Sequence, residues 1–229
     1  MIGTLLVVVL AVPVVAILVW RSHARQKQVE ANLAALQWLA QQRNWTYKRS
    51  DAGSADRFAG KFPFPLKSFN ASSKHLITGM HRGRPFSAFE YTTHAGPVGM
   101  RRRSDITHKR WTPYWIIAVA LPAHRPQLAV EGRNSAANAD VGARIQTGHE
   151  QFDSAFIVST DHEQFARDVL HPQLLHWLLA HPIAHQVAFR FERNELVAWQ
   201  PGKQDAHKLE PVLNMLCDVL DQVPAAVCR

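Results

Sequence analysis

Residues Met1 to Trp20, MIGTLLVVVLAVPVVAILVW, contain no charged side chain, and the chain turns basic at once with Arg21, Arg25 and Lys27. At about 1.5 Å per residue, a helix of this length spans roughly 30 Å, the thickness of a bilayer core. A helix apolar on every side is buried in a large core or in lipid. The segment therefore predicts a transmembrane anchor over residues 1–20. A cleavable signal peptide is the competing reading, but it wants basic residues before the apolar run and a small-residue cleavage site after it. Neither is present. Pro13 is tolerated in lipid-embedded helices, and Trp20 falls where an aromatic side chain sits at the headgroup level. Lys and Arg flank the C-terminal end, so the positive-inside rule predicts a single-pass protein of the cell membrane with its C-terminal domain in the cytoplasm. The expected organisation is an anchor over 1–20, a juxtamembrane helix over 21–43 and a cytoplasmic α+β domain over 44–229.

Charge is unevenly placed. Residues 21–110 hold 17 Lys+Arg against 5 Asp+Glu, whereas residues 111–229 hold 9 against 13. The basic half is the half next to the anchor. Anionic lipid attracts each nearby basic residue by about 1 kcal/mol. Arg21, Arg25 and Lys27, with the cluster Arg101, Arg102, Arg103, Lys109 and Arg110, are thus the candidate contacts to the lipid bilayer. A solvated loop explains the second cluster equally well. Nucleic acid is not an expected partner: the cluster has little aromatic interleaving before Trp111 and no recognition motif surrounds it.

Hydrophobic spacing outlines the domain. Val29, Leu33, Leu36 and Ala40 form a helical stripe between Gln26 and Arg43. Trp45 to Lys48 reads as a short strand. His75–Met80 and Pro85–Thr92 flank the polar turn His81-Arg82-Gly83-Arg84 and predict a hairpin. Tyr114–Leu121 is a continuous apolar run, short and β-branched enough for a buried strand. Trp115, Ile117 and Val119 should share one face, and Ile116, Ala118 and Ala120 the other. Gln127–Glu131 is expected to pair back on it across the loop Pro122–Pro126, and residues 132–149 to form a polar loop. Ala155–Ser159 reads as a strand. Thr160 and Glu163 make a capping box for the helix carrying Phe165, Ala166, Val169 and Leu170. His171-Pro172 starts a second helix, with Leu174, Leu175, Leu178 and Leu179 buried and Pro182 at its end. A second hairpin is expected about Arg193-Asn194, placing Leu196 opposite Phe191. The chain closes with an amphipathic helix from Lys208 to Val223. The fold class is α+β, a mainly antiparallel sheet covered by two to three helices behind an N-terminal transmembrane helix.

Catalytic signatures are missing. There is no HExxH, CxxC, GxSxG or phosphate-binding loop, so no metal, cofactor or catalytic residue is expected. The chain has thirteen histidines, but His171, His176, His181 and His185 are spaced by five, five and four. Surface or helix-capping roles fit them better than metal ligation. Cys217 lies on the flank of the last helix's apolar stripe, where a free thiol behaves as a small hydrophobe.

Four local patterns carry a resemblance. They are WLAQQRNWTY (Trp38 to Tyr47), the stretch Ile77 to Tyr91 with its I-T-G-x-x-R-G-R-P-F core, F-D-x-A-F-x-V (Phe152 to Val158) and V-L-H-P-x-L-x-x-W-L-L-A (Val169 to Ala180). With the N-terminal span, they make the chain resemble a group of uncharacterised single-span membrane proteins of actinobacteria. The resemblance implies an anchor, a cytoplasmic domain and a bacterial envelope setting, and transfers no activity and no site residues. Two function classes follow. One is a non-enzymatic scaffold or binding module at the inner membrane face, with lipid or a membrane protein as partner. The other is a membrane-tethered hydrolase with a site scattered through the chain. The absence of every catalytic motif favours the first.

Overall fold

In a computed structural model the described residues are 2–51, 53, 54, 58, 72–93, 112–133 and 141–224, with side chains described except at 2–18, 93 and 112. The chain begins with one unbroken helix, α1 (Ile2–Gln42). Its expected stripe faces inward: Leu36 and Ala40 are buried, and Leu33 and Leu39 pack against the same core. Asn44, at a left-handed φ of 54°, ends it, as small polar residues do after a helix C-terminus. Among the described residues no helix is long and apolar enough to cross a membrane. The expected anchor therefore gains no support from the structure. Almost all of the apolar run that suggested it lies outside the described side chains.

Among the described residues, seven strands form one antiparallel sheet. They are β1 (Thr46–Ser50), β2 (Ser72–His81), β3 (Arg84–Thr93), β4 (Thr112–Gly132), β5 (Ala143–Ile145), β6 (Phe156–Thr160) and β7 (Ala188–Pro201). Their order is β1-β2-β3-β4-β6-β5, with β7 paired to β4. Four further helices are α2 (Glu150–Ala155), α3 (Glu163–Val169), α4 (Pro172–Ala180) and α5 (Ala206–Gln222). The β2–β3 hairpin is as its sequence implies. Arg82 and Gly83 both take positive φ, 50° and 76°, as a two-residue turn of the mirror-image type requires.

The alternation along β4 also holds. Trp115, Ile117 and Val119 lie in the core that packs against the helices. Ile116 and Ala118 lie in a second cluster on the opposite face, with Phe89, Val197 and Trp199, whereas Ala120 is only half-buried and outside that cluster. Every helix contributes to the first core, Phe152 from α2 included, so the described cover is five helices rather than two or three.

Both expected return strands are corrected. Tyr114–Leu121 and Gln127–Glu131 belong to one strand, and Ala188–Phe191 and Leu196–Ala198 lie along another. β4 and β7 pair along nearly their full lengths, with Tyr114 opposite Pro201 and Val130 opposite Phe189. From Ala120 to Leu128 the chain takes eight steps while β7 takes four, from Glu195 to Phe191. The excess in β4 bulges out. Pro122 and Pro126 fall there, where a missing N–H costs no ladder bond. Arg193, at φ 55°, kinks β7 instead of turning it back. Phe191 consequently sits opposite Leu128, and Leu196 opposite Val119. Glu192 pairs with Arg190 at 2.5 Å, both buried, and the Arg190 guanidinium lies 5.1 Å from the Trp199 ring centroid.

Two smaller expectations change. The stretch 132–149 is not all loop, since Ala143–Ile145 pairs with β6. The α3 cap is His162 rather than Thr160. The Thr160 hydroxyl accepts the His162 N–H at 3.0 Å, and His162 Nδ1 accepts the Phe165 N–H at 3.1 Å. His149 caps α2 and His171 caps α4 through the same ring nitrogen. Of the four histidines expected at the surface or at caps, His171 is such an N-cap, and His149 and His162 add two that the sequence did not single out.

Candidate functional site

A cavity of about 650 Å³ lies beside α1 where the helix meets the domain. Three pieces of chain build it. α1 supplies Arg25, Val29, Asn32 and Leu33, the sheet supplies His75 and Glu90, and the link from β7 to α5 supplies Lys203, Gln204 and Asp205. Its volume is typical of small-molecule sites.

Asn32 fastens the helix to the link. Its Nδ2 donates to the Gln204 carbonyl at 2.6 Å, and its Oδ1 accepts the Ala206 N–H at 3.0 Å. One side-chain amide thereby satisfies a loop carbonyl and one of the orphan amides of the α5 N-terminus. Asp205 caps α5 by accepting the His207 N–H at 2.9 Å. Farther along, Arg43 meets Glu210 at 2.6 Å.

Glu90 forms part of the floor. It alternates with Phe86 and Ala88 on the helix-covered face of β3 and is buried. Its Oε1 accepts the Gln204 N–H at 3.1 Å. Among the described residues, no cation lies within ion-pair distance of its carboxylate. Gln204 itself is 1% exposed, and neither its Oε1 nor its Nε2 has a hydrogen-bond partner. A buried orphan polar group costs about 1–3 kcal/mol, so this link is held at a cost to stability.

His75 occupies a bulge in β2, where the register to β3 shifts between Lys74 and Ile77. Its φ of 54° is left-handed, a strained setting for a side chain other than glycine. The Tyr47 hydroxyl meets its Nδ1 at 2.7 Å and fixes the ring. Burial pushes the imidazole below the ordinary histidine range, with Glu90 pulling in the opposite direction. The cavity thus combines a buried carboxylate, a histidine biased to its neutral form, two exposed cations (Arg25 and Lys203) and an apolar wall.

Of the residues proposed from sequence, Arg21, Arg25 and Lys27 are exposed on α1, and Arg25 lines this cavity. Arg101, Arg102, Arg103, Lys109 and Arg110 lie outside the described residues. Sequence reasoning missed Asn32, His75, Glu90 and Gln204. Two of these left a trace: Asn32 is a polar residue beside the apolar stripe of α1, and Glu90 is a carboxylate at an inward strand position. Among the described residues, no group of three or more His, Cys, Asp and Glu side chains could hold a metal ion.

No family model matches the chain, and no curated protein sequence matches it significantly. Its fold is similar to that in the crystal structure of the mycobacterial trehalose monomycolate transport factor A, TtfA. The TM-score is 0.61 at 12% sequence identity, covering 84% of this chain and 96% of that one. At that identity, the likeness is one of fold.

Proposed function

We propose that this protein is a non-enzymatic accessory module held at the inner face of a bacterial membrane, with the cavity beside α1 as its binding site. The observation that carries this reading is the continuity of α1. A single helix runs from Ile2 to Gln42, so the apolar run and the buried residues Leu36 and Ala40 share one rod. If residues 1–20 lie in lipid, Arg25 stands about 7.5 Å beyond the last of them. Arg21, Arg25 and Lys27 then face the headgroups. The fold it shares with a transport factor is consistent with an accessory role. The association with actinobacterial single-span proteins rests on local sequence patterns.

The test is fractionation and topology of the full chain. It should sediment with membranes and resist extraction by high salt and alkaline carbonate. A reporter fused after Arg229 should be active as a cytoplasmic fluorophore and inactive as alkaline phosphatase. Recovery of the full chain in the soluble fraction would overturn the anchor. Phosphatase activity would overturn the orientation.

A further inference from the structure

We infer that the cavity beside α1 binds a zwitterionic headgroup, a primary ammonium joined to a phosphodiester, with the ammonium at Glu90 and the phosphate between Arg25 and Lys203. The inference rests on the proposed membrane setting only for the source of the ligand, not for the site. Its first support is Glu90. A buried carboxylate is ordinarily paired with a cation. This one accepts the backbone N–H of Gln204 and has no cationic partner among the described residues. His75, the nearby titratable ring, is biased to its neutral form by burial and cannot fill that role well. An ammonium entering the cavity supplies the missing positive charge in a place where charge-assisted hydrogen bonds are strong.

The second support is the rim. Arg25 from α1 and Lys203 from the β7–α5 link line the same cavity, and neither has an ion pair among the described residues. Two exposed cations beside one buried anion suit a ligand that carries both signs. Val29 and Leu33 make an apolar wall on α1, along the path from the domain toward Trp20. A diacyl phospholipid with an ethanolamine headgroup has this chemistry, and so does free phosphoethanolamine. Gln204 lines the same cavity, and its buried side-chain amide has no hydrogen-bond partner, so small movements of the link can add a further donor and acceptor.

The experiment is calorimetric titration of the full chain in a neutral, non-ionic detergent. The probes are dioctanoyl phosphatidylethanolamine, dioctanoyl phosphatidylglycerol and O-phosphoethanolamine. The ethanolamine lipid should bind at least about tenfold more tightly than the glycerol lipid. Glu90→Gln keeps the side-chain oxygen that accepts from Gln204, and should abolish that preference. Arg25→Gln, at an exposed position whose loss leaves the fold intact, should weaken both lipids. Comparable binding of free phosphoethanolamine supports the site and assigns it to a soluble zwitterion. Tighter lipid binding supports it and assigns it to the membrane. Equal affinity for the two lipids, or an unchanged preference in Glu90→Gln, overturns the proposal. No effect of Arg25→Gln overturns it even if the Glu90 variant fails to fold. A chain that binds the zwitterion yet fractionates as soluble leaves the site standing and removes the anchor.

Discussion

Replacing Asn32 tests how α1 is fixed to the domain. Asn32→Ala deletes two hydrogen bonds, one to the Gln204 carbonyl at 2.6 Å and one from the Ala206 N–H at 3.0 Å. Each is worth a net 0.5–1.5 kcal/mol, so the loss should be about 1–3 kcal/mol. The adjoining cavity admits water to the groups left behind, which keeps the cost from rising above that range. Asn32→Asp separates the two contacts. It retains an acceptor for the Ala206 N–H, and its charge near the start of α5 contributes a further ~0.3–1 kcal/mol. Its second oxygen faces the Gln204 carbonyl, which can only accept, so that contact turns repulsive. The aspartate should therefore recover only part of the loss. Urea denaturation of the full chain in detergent, followed by tryptophan fluorescence, measures the stability. Hydrogen exchange at the Ala206 amide reports the contact itself, with protection lost in the alanine variant and kept in the aspartate. An unchanged midpoint together with unchanged Ala206 protection in Asn32→Ala would refute the view that this side chain joins the helix to the link.

Two further outcomes are expected. Ile117→Ala removes methyl groups from a side chain 2% exposed in the helix-facing core, and should lower stability by ~2–5 kcal/mol in the same denaturation assay; a shift below experimental error would show that β4 is not the core strand. Burial holds both His75 and His181 below the ordinary value of 6.5. The unfolded chain therefore takes up more protons at and just below that pH, so the stability from these groups is complete above about 6.5 and is lost as pH falls through the folded values. The denaturation midpoint should fall between pH 7 and 5, and less steeply in a His75→Gln, His181→Gln double variant. A midpoint that rises on acidification contradicts the sign.

The elements that periodicity could reveal are those whose neighbours in sequence are also neighbours in space. The β2–β3 hairpin, α4 and α5 are of this kind: a turn, a proline at a helix start and an apolar stripe each report on a few adjacent residues. β4 and β7 are different. Each reads as two short strands with a polar break, because Pro122–Pro126 and Arg193-Asn194 look like turns when the partner strand is unknown. The partner decides the matter, since a ladder that continues on both sides of a break turns it into a bulge or a kink. The cavity was hidden for the same reason. Glu90, Gln204 and Asn32 are ordinary polar residues in sequence, and they acquire a role only when β3, α1 and the β7–α5 link converge. The histidines gave a compositional signal without a location, and the capping geometry supplies it.

The pairing of β4 with β7 has a consequence for how the chain comes into being. β7 completes β4 along almost its whole length, yet it is made after the other described strands. The contact that fastens α1 spans 172 residues. Contacts this distant in sequence are closed late and slow the final collapse. During synthesis, one edge of β4 therefore waits unpaired, with Trp115, Ile117 and Val119 uncovered beside it, a state prone to strand addition by another chain. The domain gains its closed form only once residue 201 has been released, and a chain that stops short of β7 should aggregate rather than fold in part.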